Sequence, residues 1–398
     1  MIRLPEKVEY IIKRMNECGE RADIVGGCVR DFLLGQEPND YDLTTSASPA
    51  QTKEIFKDHK TIDTGIKHGT VTLVLDREHF EITTYRLDGE YKDNRHPECV
   101  TFSKNIEDDL SRRDFTMNAI AYNPTDGLTD PFFGEEDIKN AIIRAVGVAE
   151  VRFTEDALRI LRGLRFSSTL GFGIEKSTSE ALLSKRELLR NVSSERLFVE
   201  WKKLLLGKNA VFVLGEYLDV FTVFLPELAS LDTAKIAGFD SLTLQERNIL
   251  LFFLAGTTPD GFSTAMQRLK TDNDFRLHGK RTLECISYIT ERKGVSTDRG
   301  ELMMLAYLFG KDAAISALSA LAAVGRINPA AKESLSDLID SGAPYKLSDL
   351  AVNGSDLAAR GIIGKDIGKT LTALLLAVIA GKIENEKNAL IEASKSQK

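Results

Sequence analysis

Val25-Gly26-Gly27-Cys28-Val29-Arg30-Asp31 precedes Asp40-Tyr41-Asp42, with Gly27 thirteen residues ahead of Asp40. Asp23–Val25 reads as a strand and Val29–Leu34 as a helix, so the glycine pair falls on a strand-to-helix turn. Glycine lets backbone N–H groups come close to a phosphate, and a helix N-terminus favours negative charge. Arg30 adds a cation one turn in. Tyr41–Thr44 reads as a second strand, which sends Asp40 and Asp42 to one face and Tyr41 and Leu43 toward the core. Two carboxylates that close repel unless a cation sits between them, and hard oxygen ligands suit Mg²⁺. Such a site polarises the attacking and leaving oxygens of a displacement at phosphorus. Glu81 lies in a further strand pattern, Phe80–Arg86, with Ile82 pointing the other way, and is the candidate third carboxylate. A plain turn explains a lone Gly-Gly, and a solvated face explains most Asp-x-Asp triplets. Their close succession favours the phosphate reading.

Around this core, the first ~145 residues alternate helix-like and strand-like patterns. Residues 5–18 look helical, and Thr70–Leu75 is a strand rich in Thr and Val. Beyond Thr154 the strand signal fades, and apolar-periodic stretches follow at 154–170, 195–206, 210–223, 244–255, 300–323 and 369–380. The expected class is α+β: a small mixed-sheet head over 1–145, then an all-α remainder without a fixed repeat.

With 398 residues and 43% hydrophobic content, the chain can bury more than one core. Its N-terminus, charged through the apolar positions, is neither a signal peptide nor an anchor. Leu371 to Ala380, the longest nearly apolar run, is too short to span a bilayer and reads as a buried helix, so no membrane partner is expected. Cys18, Cys28, Cys99 and Cys285 form no C-x-x-C pair, which argues against a zinc module or disulfide framework and fits a reducing cytoplasm. Only His278 lies beyond position 96, which excludes a histidine-rich metal site in the C-terminal two-thirds. The net charge of −7 requires any nucleic-acid surface to be local.

Two further segments carry chemistry. In Ser111-Arg112-Arg113-Asp114-Phe115-Thr116-Met117-Asn118-Ala119, an arginine can clamp phosphate and Asp114 can accept from a ribose 2′-OH. In Glu155-Asp156-Ala157-Leu158-Arg159-Ile160-Leu161-Arg162-Gly163-Leu164-Arg165, the polar residues step by three. A continuous helix capped by Thr154 clusters Ala157, Ile160, Leu161 and Leu164 on one side and spirals Asp156, Arg159, Arg162 and Arg165 along the other. An ordinary helix with this pattern is a solvated, ion-paired face. Here Asp156 can accept from the exocyclic amine of C or A while Arg159 donates to a ring nitrogen. U and G present the reverse pattern and would leave both side chains unpaired.

G-G-x-V-R-D, L-G and D-x-D together resemble motif A of the polymerase-β-like nucleotidyltransferase superfamily. The sequence looks most like the class II tRNA nucleotidyltransferases (CCA-adding enzymes) and bacterial poly(A) polymerases. The resemblance implies that Gly27 and Arg30 contact the nucleotide triphosphate and that Asp40 and Asp42 bind Mg²⁺. The Arg112–Arg113–Asp114 segment is similar to motif B, which contacts ribose and triphosphate. Asp130-Pro131-Phe132-Phe133-Gly134 resembles the hinge-like motif C, with Phe133 where glycine is usual. E-D-x-x-R is similar to motif D, the amino-acid template, and implies that Arg162 and Arg165 support the phosphates and pocket. Ser193-Ser194-Glu195-Arg196-Leu197 is like motif E, whose Glu195 and Arg196 brace the templating helix.

Downstream, residues 350–357 and Asn385-Glu386 resemble the tail of bacterial CCA-adding enzymes. The resemblance runs nearly end to end, firmest over 20–200. It implies a head (1–145), a neck (146–208), a body (209–325) and a tRNA-binding tail (326–398). The expected activity is addition of CCA to the 3′ end of tRNA from CTP and ATP. Poly(A) polymerase and CC-only or A-only enzymes are the alternatives. Against the first, the chain ends in SKSQK without a long basic extension. Against a CC-only enzyme, the loop from Arg86 to Pro97 is intact, and its Asp93 and Arg95 are candidates for reshaping the pocket between C and A. A silent RNA-binding protein on the same fold is disfavoured by the intact Asp40, Asp42 and Arg113. Oligomeric state is left open, a homodimer included.

Overall fold

The structure, a computed structural model of the chain, describes residues 3–89 and 99–395, so the expectation placed on Asp93 and Arg95 lies outside the described residues. It divides into two compact units, Met1–Phe224 and Leu225–Lys398.

The first unit opens with helix α1 (Glu6–Glu17), which buries Val8, Ile11, Ile12 and Met15 at three- and four-residue spacing. Its sheet contains β1 (Ala22–Val25), β2 (Leu43–Thr45), β3 (Lys60–Gly65), β4 (Thr70–Leu75) and β5 (Glu78–Thr84). Between them lie α2 (Gly27–Leu33) and α3 (Pro49–Ile55). After a separate hairpin, β6 (Arg86–Asp88) with β7 (Val100–Phe102), come α4 (Ile106–Ser111), β8 (Ala121–Asn123) and β9 (Gly127–Thr129). The strand order is β3-β4-β5-β2-β1-β8-β9, and all neighbours are antiparallel except β2 and β5. Val25, Tyr85, Leu110, Ala119 and Val146 pack in one buried cluster. Buried Asp23 is satisfied within β1 by Arg21 and by the Tyr85 hydroxyl, which donates to it at 2.5 Å.

The remainder of this unit carries α5 (Gly134–Lys139), β10 (Ile142–Ile143), α6 (Ala149–Glu155), α7 (Leu158–Leu170), β11 (Gly173–Ile174), α8 (Lys176–Ser184) and α9 (Ser194–Leu205). The mixed sheet followed by helices agrees with the α+β expectation, but three of the stretches read as single helices are broken. The stretch read as one helix over 154–170 breaks at Asp156, whose backbone is extended (φ −133°, ψ 103°). Thr154 therefore lies in the last turn of α6 rather than capping α7, and its hydroxyl donates to the carbonyl of Glu150. The stretch over 210–223 is two short helices, Ala210–Glu216 and Leu218–Phe221.

In the second unit, the stretch read over 300–323 is two helices, Arg299–Phe309 and Lys311–Ala323, bent by 119°. This unit is otherwise helical, around the 19-residue helix Asn273–Glu291. Its helix Leu244–Leu254 starts from a Thr243/Glu246 capping box, and Phe252 and Phe262 meet edge-on at 5.0 Å in the core. Helix Lys365–Ile379 buries Leu374, Leu375, Val378 and Ile379, as expected of a core helix. Among the described residues no single helix is long and apolar enough to cross a membrane.

Candidate active site

Gly26 turns the chain from β1 into α2 with φ +82°, a left-handed conformation that glycine adopts without strain. A Cβ there would stand 2.9 Å from Arg113 Nη1, so the turn is also where Arg113 approaches the backbone. Gly27 begins α2, and one turn on, Arg30 bridges the Asp31 carboxylate and the side-chain oxygen of Asn118, 2.7 and 2.8 Å away.

Asp40 and Asp42 lie in the segment directly before β2, not within the strand as expected. Regular pairing begins at Leu43 because β1 ends at Val25 and Gly26 turns away. One bond still carries the pairing back: the Val25 N–H donates to the Asp42 carbonyl at 3.0 Å. Leu43 pairs in parallel with Ile82, so one residue back Asp42 stands level with Glu81, exposed on β5 while Ile82 is buried. Asp42 is exposed as a residue, yet its carboxyl is pushed above its ordinary value by loss of hydration and by Asp40 and Glu81. Arg113 acts in the opposite direction. Asp40, Glu81 and Arg113 thus act electrostatically on one carboxyl, that of Asp42. Among the described residues no three His, Cys, Asp or Glu side chains are grouped closely enough to hold a metal alone.

Helix α4 supplies the anchor for the arginine pair. Its buried Asp109 accepts from Arg112 at 2.6 Å and from Arg113 at 3.1 Å, at the three- and four-residue spacing that joins side chains on a helix. Burial would raise the Asp109 carboxyl, but Arg113 and Arg112 hold it below its usual range. The next residue after the pair, Asp114, is 8% exposed, and its acceptor sites are engaged. Oδ1 takes the Phe115 N–H and the Asn118 amide, and Oδ2 takes the Arg162 guanidinium at 2.7 Å. Burial alone would push this carboxyl up; Arg162 and then Arg159 overcome it and hold it at about 2. A carboxylate offers about four acceptor sites, so a ribose hydroxyl reaches Asp114 only by displacing one of these donors.

The break before α7 places Asp156 at the start of the helix, where its carboxylate accepts from the Leu158 N–H at 3.1 Å and from Arg196 at 2.9 Å. Arg196 thus ties α9 to this position, as the motif E resemblance implied. Arg159, 9% exposed, donates to Glu155 at 2.8 Å and to the carbonyl of Arg112 at 2.8 Å, so it is not part of a solvated face. Arg165 pairs with buried Glu200 of α9 at 2.7 Å, and burial pushes its guanidinium below its ordinary value. In motif C, Phe133 takes φ +59° and ψ 34°, the left-handed conformation a glycine would supply, with its ring 71% exposed. Holding a phenylalanine there costs on the order of 1 kcal/mol.

Four residues that the sequence reading did not single out join this site. Asp109 was legible as the acid three and four residues ahead of the arginine pair. Asn118 lay within the quoted motif, between Arg30 and Asp114. Glu200 and Phe166 left no signal, because each meets its partners through tertiary packing.

Three family models match. The poly A polymerase head domain covers residues 22–144, the RNA and SrmB binding site of polymerase A covers 171–231, and tRNA nucleotidyltransferase domain 2 covers 242–394. The CCA-adding enzyme of Lactobacillus helveticus is 35% identical, covering 98% of this chain and 97% of that one. That of Leuconostoc mesenteroides is 36% identical, covering 99% and 97%. The crystal structure of the Bacillus stearothermophilus CCA-adding enzyme in complex with CTP superposes with a TM-score of 0.80 at 32% identity, covering 100% of this chain and 98% of that one. With a glycine turn, paired aspartates and an arginine-lined helix in the family's order, and likeness running from end to end, this chain belongs to the CCA-adding enzymes, the tRNA nucleotidyltransferases.

Proposed function

We propose that this chain adds C, C and A in turn to the 3′ end of tRNA, taking CTP and ATP and releasing pyrophosphate. The observation that carries the reading is the β2–β5 register, which sets Asp42 level with Glu81 two residues after Asp40, with Arg113 against the Gly26 turn. Asp40 and Glu81 both push the Asp42 carboxyl up, as in a site built to face a cation, and two carboxylates completed by substrate phosphates suit Mg²⁺. Asp40 and Asp42 would hold it, with Glu81 adding negative charge. Bound there, a divalent ion supplies Lewis-acid polarisation of the reacting phosphoryl group.

The chain's own groups do the rest. Gly26 and Gly27 open backbone to the triphosphate, while Arg30 and Arg113 give it charge, each held in place by a carboxylate. Asp114 stays ionised and fixes Arg162 at 2.7 Å. Asp156 and Arg159 read the base edge, a task for which their bonds to Arg196 and Glu155 must be partly exchanged. The segments 1–145, 146–208, 209–325 and 326–398 serve as head, neck, body and tRNA-binding tail. Four unpaired cysteines support a reducing, cytoplasmic setting; burial pushes the Cys28 and Cys285 thiols up to about 11 and about 12.

The test uses tRNA transcripts ending before, within and just short of CCA, each nucleotide supplied separately, with products resolved to one residue. Full CCA from CTP and ATP is expected. Addition of A alone, CC alone or a long A tail overturns the assignment. Asp42→Ala should lose addition by at least a thousandfold while still binding tRNA, the loss of a metal-held charge costing several kcal/mol.

A further inference from the structure

Phe166 is almost wholly buried on α7, perpendicular to Phe115 with ring centres 5.9 Å apart. Packing accounts for one side of the ring. Around the same ring stand three guanidinium carbons: Arg165 at 3.7 Å from the centroid, Arg30 at 5.1 Å and Arg162 at 5.5 Å. Neighbours one residue apart on a helix do not face each other, so Arg165 reaches the ring of the next residue only by folding over it. Arg30 comes from α2, the helix that follows the glycine turn. The proposed function gives Arg30 to the triphosphate, and the family resemblance gives Arg162 and Arg165 to the phosphates and the pocket.

Each of the three has a carboxylate: Asp31 for Arg30, Asp114 for Arg162 and Glu200 for Arg165. A carboxylate fixes one edge of a guanidinium, which can still swing about the axis of that bond. A ring set against it adds a second constraint and attracts the charge electrostatically, more strongly where water is excluded. Ordinary core packing requires none of this, since a buried aliphatic side chain would serve.

We infer that Phe166 is a positioning residue for the triphosphate: its π face holds Arg30, Arg162 and Arg165 in the arrangement that receives the nucleotide's phosphates. It touches no reacting atom, and because it acts on the phosphate-facing groups it serves CTP and ATP alike. This inference rests on the proposed nucleotidyl-transfer reading of the site.

The full-length protein is prepared with mono-, di- and trifluorinated phenylalanine at position 166, a series that drains the ring's negative face at nearly constant size, and with Phe166→Leu. Without tRNA no transfer occurs, so the Kd for CTP and for ATP is read by calorimetry beside each melting temperature. The Kd for both nucleotides should rise in step with fluorination, by on the order of tenfold across the series, while the melting temperature holds. With tRNA present, KM should rise while kcat at saturation stays within about twofold. A Kd flat across the series overturns the inference. So does a Phe166→Leu protein that melts lower yet binds as the parent does, which would make the ring core packing only. Failure of the unsubstituted protein to bind CTP or ATP would instead overturn the underlying reading of the site.

Discussion

At pH 7 Asp114 is ionised although nearly buried, because Arg162 and Arg159 outweigh the cost of burial and hold its carboxyl at about 2. An unfolded aspartate titrates near 3.9, so the unfolded chain binds the extra proton first. The interaction is therefore fully present above about pH 4 and is lost as pH falls toward about 2, a loss of about 2 kcal/mol. Urea midpoints followed down this range should fall more steeply for the parent than for Asp114→Asn; identical slopes would remove Asp114 from the charge balance. A second residue-scale consequence concerns Arg196, whose bond to Asp156 ties motif E to the template. Arg196→Ala should lower kcat/KM for CTP and ATP together, on the order of tenfold to a hundredfold, the range of a charged hydrogen bond. Rejection of UTP and GTP should relax in the same protein. Were it to discriminate as the parent does, base choice would not depend on how Asp156 is held.

Motif C shows how an element can be fixed by one close approach. Gly134 opens α5 with its N–H donating to Asp130 at 2.8 Å, and a Cβ there would lie 2.2 Å from the carbonyl oxygen of Thr116. Since backbone must move to accept a methyl group, Gly134→Ala should destabilise by about 1–3 kcal/mol. It should also weaken nucleotide binding, because Thr116 lies between Asp114 and Asn118; an unchanged urea midpoint would show that the approach is slack. The tightness of this packing could not be read from DPFFG, and neither could the break between α6 and α7. Apolar periodicity runs unbroken through 154–170, and an acid in a first turn looks the same whether it decorates a helix or caps a new one, as Asp156 does. The sequence was most legible where structure is local, as at the glycine turn that joins β1 to α2; the spacing of Asp109 from its arginines carried a signal of the same kind that was not singled out. Glu200 and Phe166 owe their places to packing between elements distant in sequence, which no spacing rule reports.

The whole chain carries −7, yet its family's substrate is a polyanion. If net charge governed the encounter, added salt would screen repulsion and strengthen tRNA binding. If local basic surfaces govern it, salt weakens binding, because each neutralised phosphate releases counterions that bulk salt opposes. The two effects have opposite signs, and their ranges differ. At about 0.1 M salt the screening length is about 10 Å, so distant acids are largely silent while groups touching phosphate are not. In the second unit Arg360, Lys365 and Lys369 stand exposed around Ile363, which is 74% exposed, where the helix Lys365–Ile379 begins. These residues belong to the proposed tRNA-binding tail. Measured by fluorescence anisotropy, tRNA affinity should fall at least tenfold between about 50 and about 200 mM salt. Replacing Arg360 and Lys365 together by alanine should reduce the slope of log affinity against log salt by about two, one for each phosphate that is no longer neutralised. A parent slope that is flat or positive would remove the local basic surface from the account. A parent slope that is steep but unchanged in the double variant would move the phosphate-binding groups to another part of the chain.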